Sequence, residues 1–167
     1  HTVEGSASRQ IGIGVSQYGL RQALTRLYNP RTKKGLFQAL RLPDAVRDVS
    51  GILDKVDTFF GRVAERGEFS EKKREVRVLQ PDFVEDTLSQ PLGDLQTRIV
   101  AMVRETEDET LKGELQDLGR KVRDAKEAVA AFLKQDSEHY VYWVEQVGKT
   151  HFSYALNAAP VDVAPYL

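Results

Sequence analysis

The 167-residue chain has no cysteine, a single tryptophan and a single methionine. Without cysteine it holds no disulfide framework, thiolate zinc site, ligated iron–sulfur cluster or cysteine nucleophile of its own. It lacks any apolar run near the roughly 18 residues of a membrane span. It also lacks the basic start, apolar stretch and small-residue cleavage site of a secretory leader. A cytoplasmic location with no membrane partner is the resulting expectation. An excess of one charge sign is missing too: 24 Lys and Arg stand against 25 Asp and Glu, a net charge of -1. Global disorder is excluded, because 41% of the residues are hydrophobic, enough to build a core. The length fits one domain.

What is present is mostly helical periodicity. Val49, Ile52, Val56, Phe59 and Val63 recur at steps of three and four, with Leu53 and Phe60 widening the stripe. Pro43 suits a first helical turn and Gly67 a stop, so a helix is expected over 43–66. A second stripe runs Leu88, Leu92, Leu95, Ile99, Met102. A third runs Leu111, Leu115, Leu118, Val122, Ala125, Val129, Phe132, with the alternating spacing of a coiled-coil seam. Asp82 with Glu85, and Thr106 with Glu109, have capping-box spacing. The second box implies that one helix ends near Arg104 and the next begins at once, giving an antiparallel hairpin over 82–134. Its second helix, from about 107, would be roughly 40 Å long, an arm more than a ball. Pro91 either kinks the first helix of the pair or marks its start after Ser89.

The N-terminal part reads as a helix over 1–28, from Val3, Ala7, Ile11 and Val15 and then Leu20, Leu24 and Leu27, although Gly12, Gly14 and Gly19 oppose it. Residues 29–35 have turn chemistry. Strands are expected at 75–79 and in a hairpin over 140–156 with Gly148 at its bend. The expected fold class is mainly α: an elongated helical domain with a long antiparallel helical hairpin and a small antiparallel sheet of two to three strands.

Several chemical motifs fail on context. Gly148-Lys149-Thr150 resembles the end of a phosphate-binding loop, but position 143 is Trp where Gly is needed and a strand follows instead of a helix. Gly12-Ile13-Gly14 has Gln17 where a dinucleotide fingerprint needs Gly. His139 and His151 flank the expected hairpin, which leaves their approach open, but no third metal ligand is indicated. No G-x-S-x-G elbow supports a hydrolase. Tyr140, Tyr142, Trp143, Phe152 and Tyr154 form an aromatic cluster. Such rings stack on single-stranded bases when exposed and otherwise pack against helices, with Trp143 as the expected anchor.

Charge is segregated along the chain. From Arg21 to Arg47 seven cations stand against the single anion Asp44, a net of +6. From Asp82 to Asp117 ten anions stand against three cations, a net of −7. The basic segment either attracts phosphates or is an ordinary solvated face. Lys72, Lys73, Arg74 and Arg77 form a second basic run, diluted by Glu68, Glu71 and Glu75.

The two ends together resemble one family. His1-Thr2-Val3-Glu4-Gly5-Ser6-Ala7 is similar to the stretch that opens on the last residue of the DEAH box in helicases of the DinG/XPD type. Tyr142-Trp143-Val144-Glu145, followed by 155–163 with Pro160, Val161, Asp162 and Val163, resembles that family's return segment into the next motor motif. The insertion between those motifs is the helical Arch domain, which helps enclose single-stranded DNA. The resemblance thus implies a single module, 1–167, cut from a larger 5′ to 3′ DNA helicase. The parent would be the enzyme, hydrolysing ATP with magnesium, and an iron–sulfur cluster would belong to the parent only. This chain would have no cofactor and no catalytic residue, His1 being at most the last residue of the DEAH box. Its partners would be single-stranded DNA and the motor domain of the same parent chain. Arg31, Lys33, Lys34 and Arg41 are the expected nucleic-acid-binding residues. The alternative is a stand-alone helical protein–protein interaction module.

Overall fold

The computed structural model describes residues 12–162. Residues 1–11 of the expected 1–28 helix, the role of His1 and Val163 of the expected return segment therefore lie outside the described residues. The described chain runs β1 (Ile13–Ser16), α1 (Gln17–Leu27), α2 (Leu36–Ala39), α3 (Pro43–Gly67), β2 (Glu75–Arg77), α4 (Ser89–Glu105), α5 (Glu109–Lys134), β3 (Tyr140–Val147) and β4 (Ser153–Pro160). The strands form one antiparallel sheet in the order β1-β4-β3-β2.

The long helices follow from local sequence. In α3, Pro43 occupies the first turn, where its missing N–H is not needed, and Val49, Val56, Phe59, Phe60 and Val63 are fully buried along one face. The helix ends at Gly67, beyond which Glu68 takes a left-handed conformation. In α4 the choice posed by Pro91 resolves as a start: the helix begins at Ser89, so Pro91 lies among the first four residues, whose N–H groups have no partner within the helix. The α4–α5 boundary falls where the spacing places it, and Leu92, Leu95, Ile99, Leu115, Leu118, Val122 and Val129 form the buried seam.

The caps differ from the expected boxes. Asp86 caps the α4 start, its Oδ1 accepting from the N–H of Leu88 at 3.1 Å and of Ser89 at 2.9 Å. Asp82 sits outside the helix with φ 60, and its N–H donates to the Leu133 carbonyl at 2.8 Å. The expected hairpin over 82–134 is therefore helical only from Ser89. Asp108 caps α5, accepting from Thr110 N–H at 2.9 Å and Leu111 N–H at 3.1 Å. Thr106 instead ends α4, donating from its hydroxyl to the Met102 carbonyl at 2.6 Å.

The fold class is the main correction. The molecule is not a mainly α, elongated domain with two or three strands. It is mixed α/β, with five helices among the described residues and a four-stranded antiparallel sheet. Part of the difference is β1. Val15 lies four residues from Ile11 and reads as the next step of a helical stripe, but it pairs with Leu156 on β4 and is buried. Gly14 fits this strand because a Cβ there would lie 3.2 Å from the Asn157 Oδ1 of the neighbouring strand. Helix begins only after Ser16, whose hydroxyl accepts from Gly19 N–H at 2.9 Å. The other part is length. β3 and β4 each span eight residues, and β4 continues to Pro160, past the expected hairpin limit. At the far edge β2 covers three residues of the expected 75–79, with Val78 N–H still donating to the Tyr142 carbonyl at 2.8 Å.

The sheet also anchors the hairpin, which is no free arm. Strand alternation puts Val15, Tyr142, Val144, Leu156 and Ala158 on one face, in one continuous core with α1, α3, α4 and α5. Phe132 of α5 meets Tyr142 edge-on, ring centroids 5.9 Å apart. The opposite face carries a separate small buried group, Val141, Trp143 and Ala159.

Candidate nucleic-acid interface

The basic loop after α1 is a folded knuckle. Asn29 N–H donates to the Lys34 carbonyl at 2.8 Å, and Lys33 N–H donates to the Asn29 carbonyl at 2.7 Å. The Asn29 side-chain oxygen accepts from Arg31 N–H at 2.9 Å and Thr32 N–H at 3.4 Å, the self-bonding that favours Asn in turns. Gly35 has φ 148, and a Cβ there would lie 2.5 Å from the Leu27 carbonyl oxygen, so the loop closes onto the last turn of α1 only with glycine. Phe37 of α2 is fully buried and pins the knuckle to the core. Lys33 (φ 61) and Arg41 (φ 56) both take the left-handed conformation, a strain sustained by these surrounding contacts.

The knuckle exposes Arg31, Lys33, Lys34 and Arg41, all four of the sequence-derived binding residues. Three of the seven cations in the basic segment are neutralised within the molecule. Arg21 pairs with Asp57 at 2.7 Å, Arg26 with Glu114 at 3.3 Å, and Arg47 with Asp44. The remaining four are those on the knuckle, and none of them makes an ion pair among the described residues. Exposed pairs of this kind contribute little to stability, but each removes a cation from the pool that meets a polyanion.

Two of the ten anions of the acidic segment are paired by cations from outside it. Glu114 faces Arg26, and Asp117 pairs with Arg120 at 2.6 Å and Lys121 at 3.2 Å. The Lys121 hydrogen bond, ahead of the other influences, holds the Asp117 carboxyl below its ordinary value. The other eight anions make no ion pair among the described residues, and the segment's own Arg98 pairs with Asp48 at 2.7 Å, so the hairpin surface stays acidic.

The other sequence candidates separate. Gly148-Lys149-Thr150 is the β3–β4 turn, with Gly148 at φ 113 and a Cβ there colliding with the His151 carbonyl oxygen. His139 precedes β3, where its carbonyl accepts from Val161 N–H, while His151 lies in the turn after Val147. The full length of β3 separates them, and among the described residues no group of three or more His, Asp or Glu is placed to hold a metal. Trp143 is buried and its Nε1–H donates to Glu145 Oε1 at 2.9 Å, but it anchors the small group on the sheet face away from the helices.

One arrangement escaped sequence reading. Gln146 N–H donates to the Arg74 carbonyl at 2.8 Å, so the 70–74 loop lies beside the β3–β4 turn. Arg74 donates to the Gln146 carbonyl at 3.3 Å and to the Gly148 carbonyl, and its guanidinium sits 5.6 Å from the centroid of the Phe152 ring. Both residues belong to clusters visible in the sequence, but only strand register brings them together.

Among the described residues, no helix is long and apolar enough to cross a membrane. No family model matches the chain, and no curated protein matches it.

Proposed function

We propose that this chain is the Arch domain of a DinG/XPD-type ATP-dependent 5′–3′ DNA helicase, helping to enclose and steer single-stranded DNA. The observation that carries the reading is the pairing of Ile13 with Ala158, which sets the first and last described strands side by side. A module inserted in a host domain must leave and re-enter it at neighbouring points, and paired terminal strands provide them. Between those strands the buried α4–α5 seam supplies stiffness.

On this reading the four unpaired knuckle cations hold the phosphate backbone by charge, releasing counterions and reading no base. ATP hydrolysis with magnesium belongs to the motor domain of the same parent chain, as does any iron–sulfur cluster. A cytoplasmic location follows from the same proposal. The test is charge reversal at Lys33 and Lys34. Single-strand affinity of the parent helicase and of this chain is expected to fall; unchanged affinity in both would remove the knuckle from the reading.

A further inference from the structure

Phe152 is a large apolar side chain left 47% exposed at the tip of the β3–β4 hairpin. Its neighbours on the same side of the strands are packed: Tyr154 meets Phe69 at 5.2 Å between ring centroids, and its hydroxyl accepts from Gln146 Nε2 at 3.1 Å. Arg74, fixed by the Gln146 and Gly148 carbonyls, lies against the Phe152 ring and restricts it. Exposed cations lie in the two segments that this Arg74–Phe152 contact joins. Lys72 and Lys73 come from the turn closed by Ser70 N–H to the Lys73 carbonyl at 3.0 Å, and Lys149 comes from the hairpin turn. None of the three makes an ion pair among the described residues. The acidic neighbours Glu75 and Glu145 face each other in register one step along, so alternation places them on the other side of the strands from Arg74. Glu71 is the one anion in the turn itself.

We propose that the β3–β4 turn and the 70–74 loop form a second single-stranded nucleic-acid contact, in which a base stacks on the Phe152 ring face that Arg74 leaves open while Lys72, Lys73 and Lys149 hold the flanking phosphates. A half-exposed ring with exposed ammonium groups in the same two segments has the chemistry of a sequence-tolerant single-strand site, since every base has a stacking face and every nucleotide a phosphate. The contact lies at the other end of α1 from the knuckle. Gln17, in the first turn of α1, accepts at 3.2 Å from the N–H of Tyr154, two residues past Phe152, and Gly35 closes the knuckle onto Leu27 in the last turn. The 11 residues of α1 span roughly 16 Å. A strand engaging both would run along the module.

This inference rests on the single-strand reading of the chain and is tested separately from it. Binding of the chain to a labelled oligothymidylate is measured by fluorescence anisotropy across a salt series. Phe152→Ala is expected to weaken binding about tenfold and leave the salt dependence in place, while Phe152→Trp retains affinity. The Lys72→Glu/Lys149→Glu double variant is expected to lower the slope of log affinity against log salt by about 1.4, two phosphate contacts on a single strand. Phe152 is solvent-facing, and circular dichroism checks that each variant folds. If these variants bind as the unaltered chain does while Lys33→Glu/Lys34→Glu binds weakly, the hairpin contact is wrong and the knuckle stands. If the hairpin variants lose affinity and the knuckle variant does not, the reverse holds. If the unaltered chain binds no single strand at any salt, both fall.

Discussion

Ile13 and Ala158 are direct neighbours across two antiparallel strands, although nearly the whole described chain lies between them. That pairing ties the strand before α1 to the strand that closes the fold. It sets the first and last described strands side by side. Helix α1 starts directly off β1, and Gln17 at its first turn accepts from Tyr154 N–H at 3.2 Å, so the knuckle at its far end is held relative to the sheet.

The knuckle depends on Gly35 and Phe37. Gly35→Ala places a Cβ against the Leu27 carbonyl at a φ that L-residues avoid, and is expected to cost about 1–3 kcal/mol. Phe37→Ala empties a fully buried site and is expected to cost about 3–5 kcal/mol. Thermal or urea unfolding measures both. Equal stability of Gly35→Ala and the unaltered chain would mean that the loop does not close as described.

Strain at the binding cations separates folding from binding. Lys33 and Arg41 are left-handed, so Lys33→Gly and Arg41→Gly are each expected to raise stability by about 0.5–1 kcal/mol. The same variants are expected to weaken single-strand affinity. Calorimetric melting and anisotropy on one preparation check the opposite signs.

Cap assignment gives a third comparison. Asp108→Ala and Asp86→Ala each remove an acceptor bonded to two backbone N–H groups and are expected to cost about 1 kcal/mol. Glu85→Ala and Glu109→Ala, the acidic members of the capping boxes expected from spacing, are expected to stay within about 0.5 kcal/mol. Denaturant midpoints decide between the two assignments.

Alkaline stability reports on the core. Burial, ahead of its other influences, holds the Tyr142 hydroxyl above its ordinary value of 10.0. A raised value means that the folded state keeps the proton longer than the unfolded one. The associated stability is fully present below pH 10 and is lost as pH rises through the folded value. Melting curves above pH 10 are expected to fall more steeply for the unaltered chain than for Tyr142→Phe, and parallel curves would contradict this.

The helices were legible because their signal is local. The spacing of Val49, Ile52, Val56, Phe59 and Val63 needs no knowledge of the partner surface. β1 was not, because its strand character depends on Leu156 and Ala158 near the other end of the chain, and Val15 fits a helical period equally well. The caps were displaced by a few residues for a related reason: several acidic side chains precede each helix, and backbone geometry selects among them. At the interface, the charge count located the basic segment. Only the fold shows that Asp57, Glu114 and Asp44 remove three of its cations and leave Arg31, Lys33, Lys34 and Arg41. The Arg74–Phe152 contact was invisible because it depends on register between β2 and β3.

The most direct test of the central claim is the salt dependence of oligothymidylate binding by the unaltered chain and by a variant with Arg31, Lys33, Lys34 and Arg41 all replaced by Gln. Four phosphate contacts on a single strand are expected to contribute about 2.8 to the slope of log affinity against log salt, and the variant should lose that much. Equal slopes in the two proteins would show that the knuckle holds no phosphate and would contradict the account.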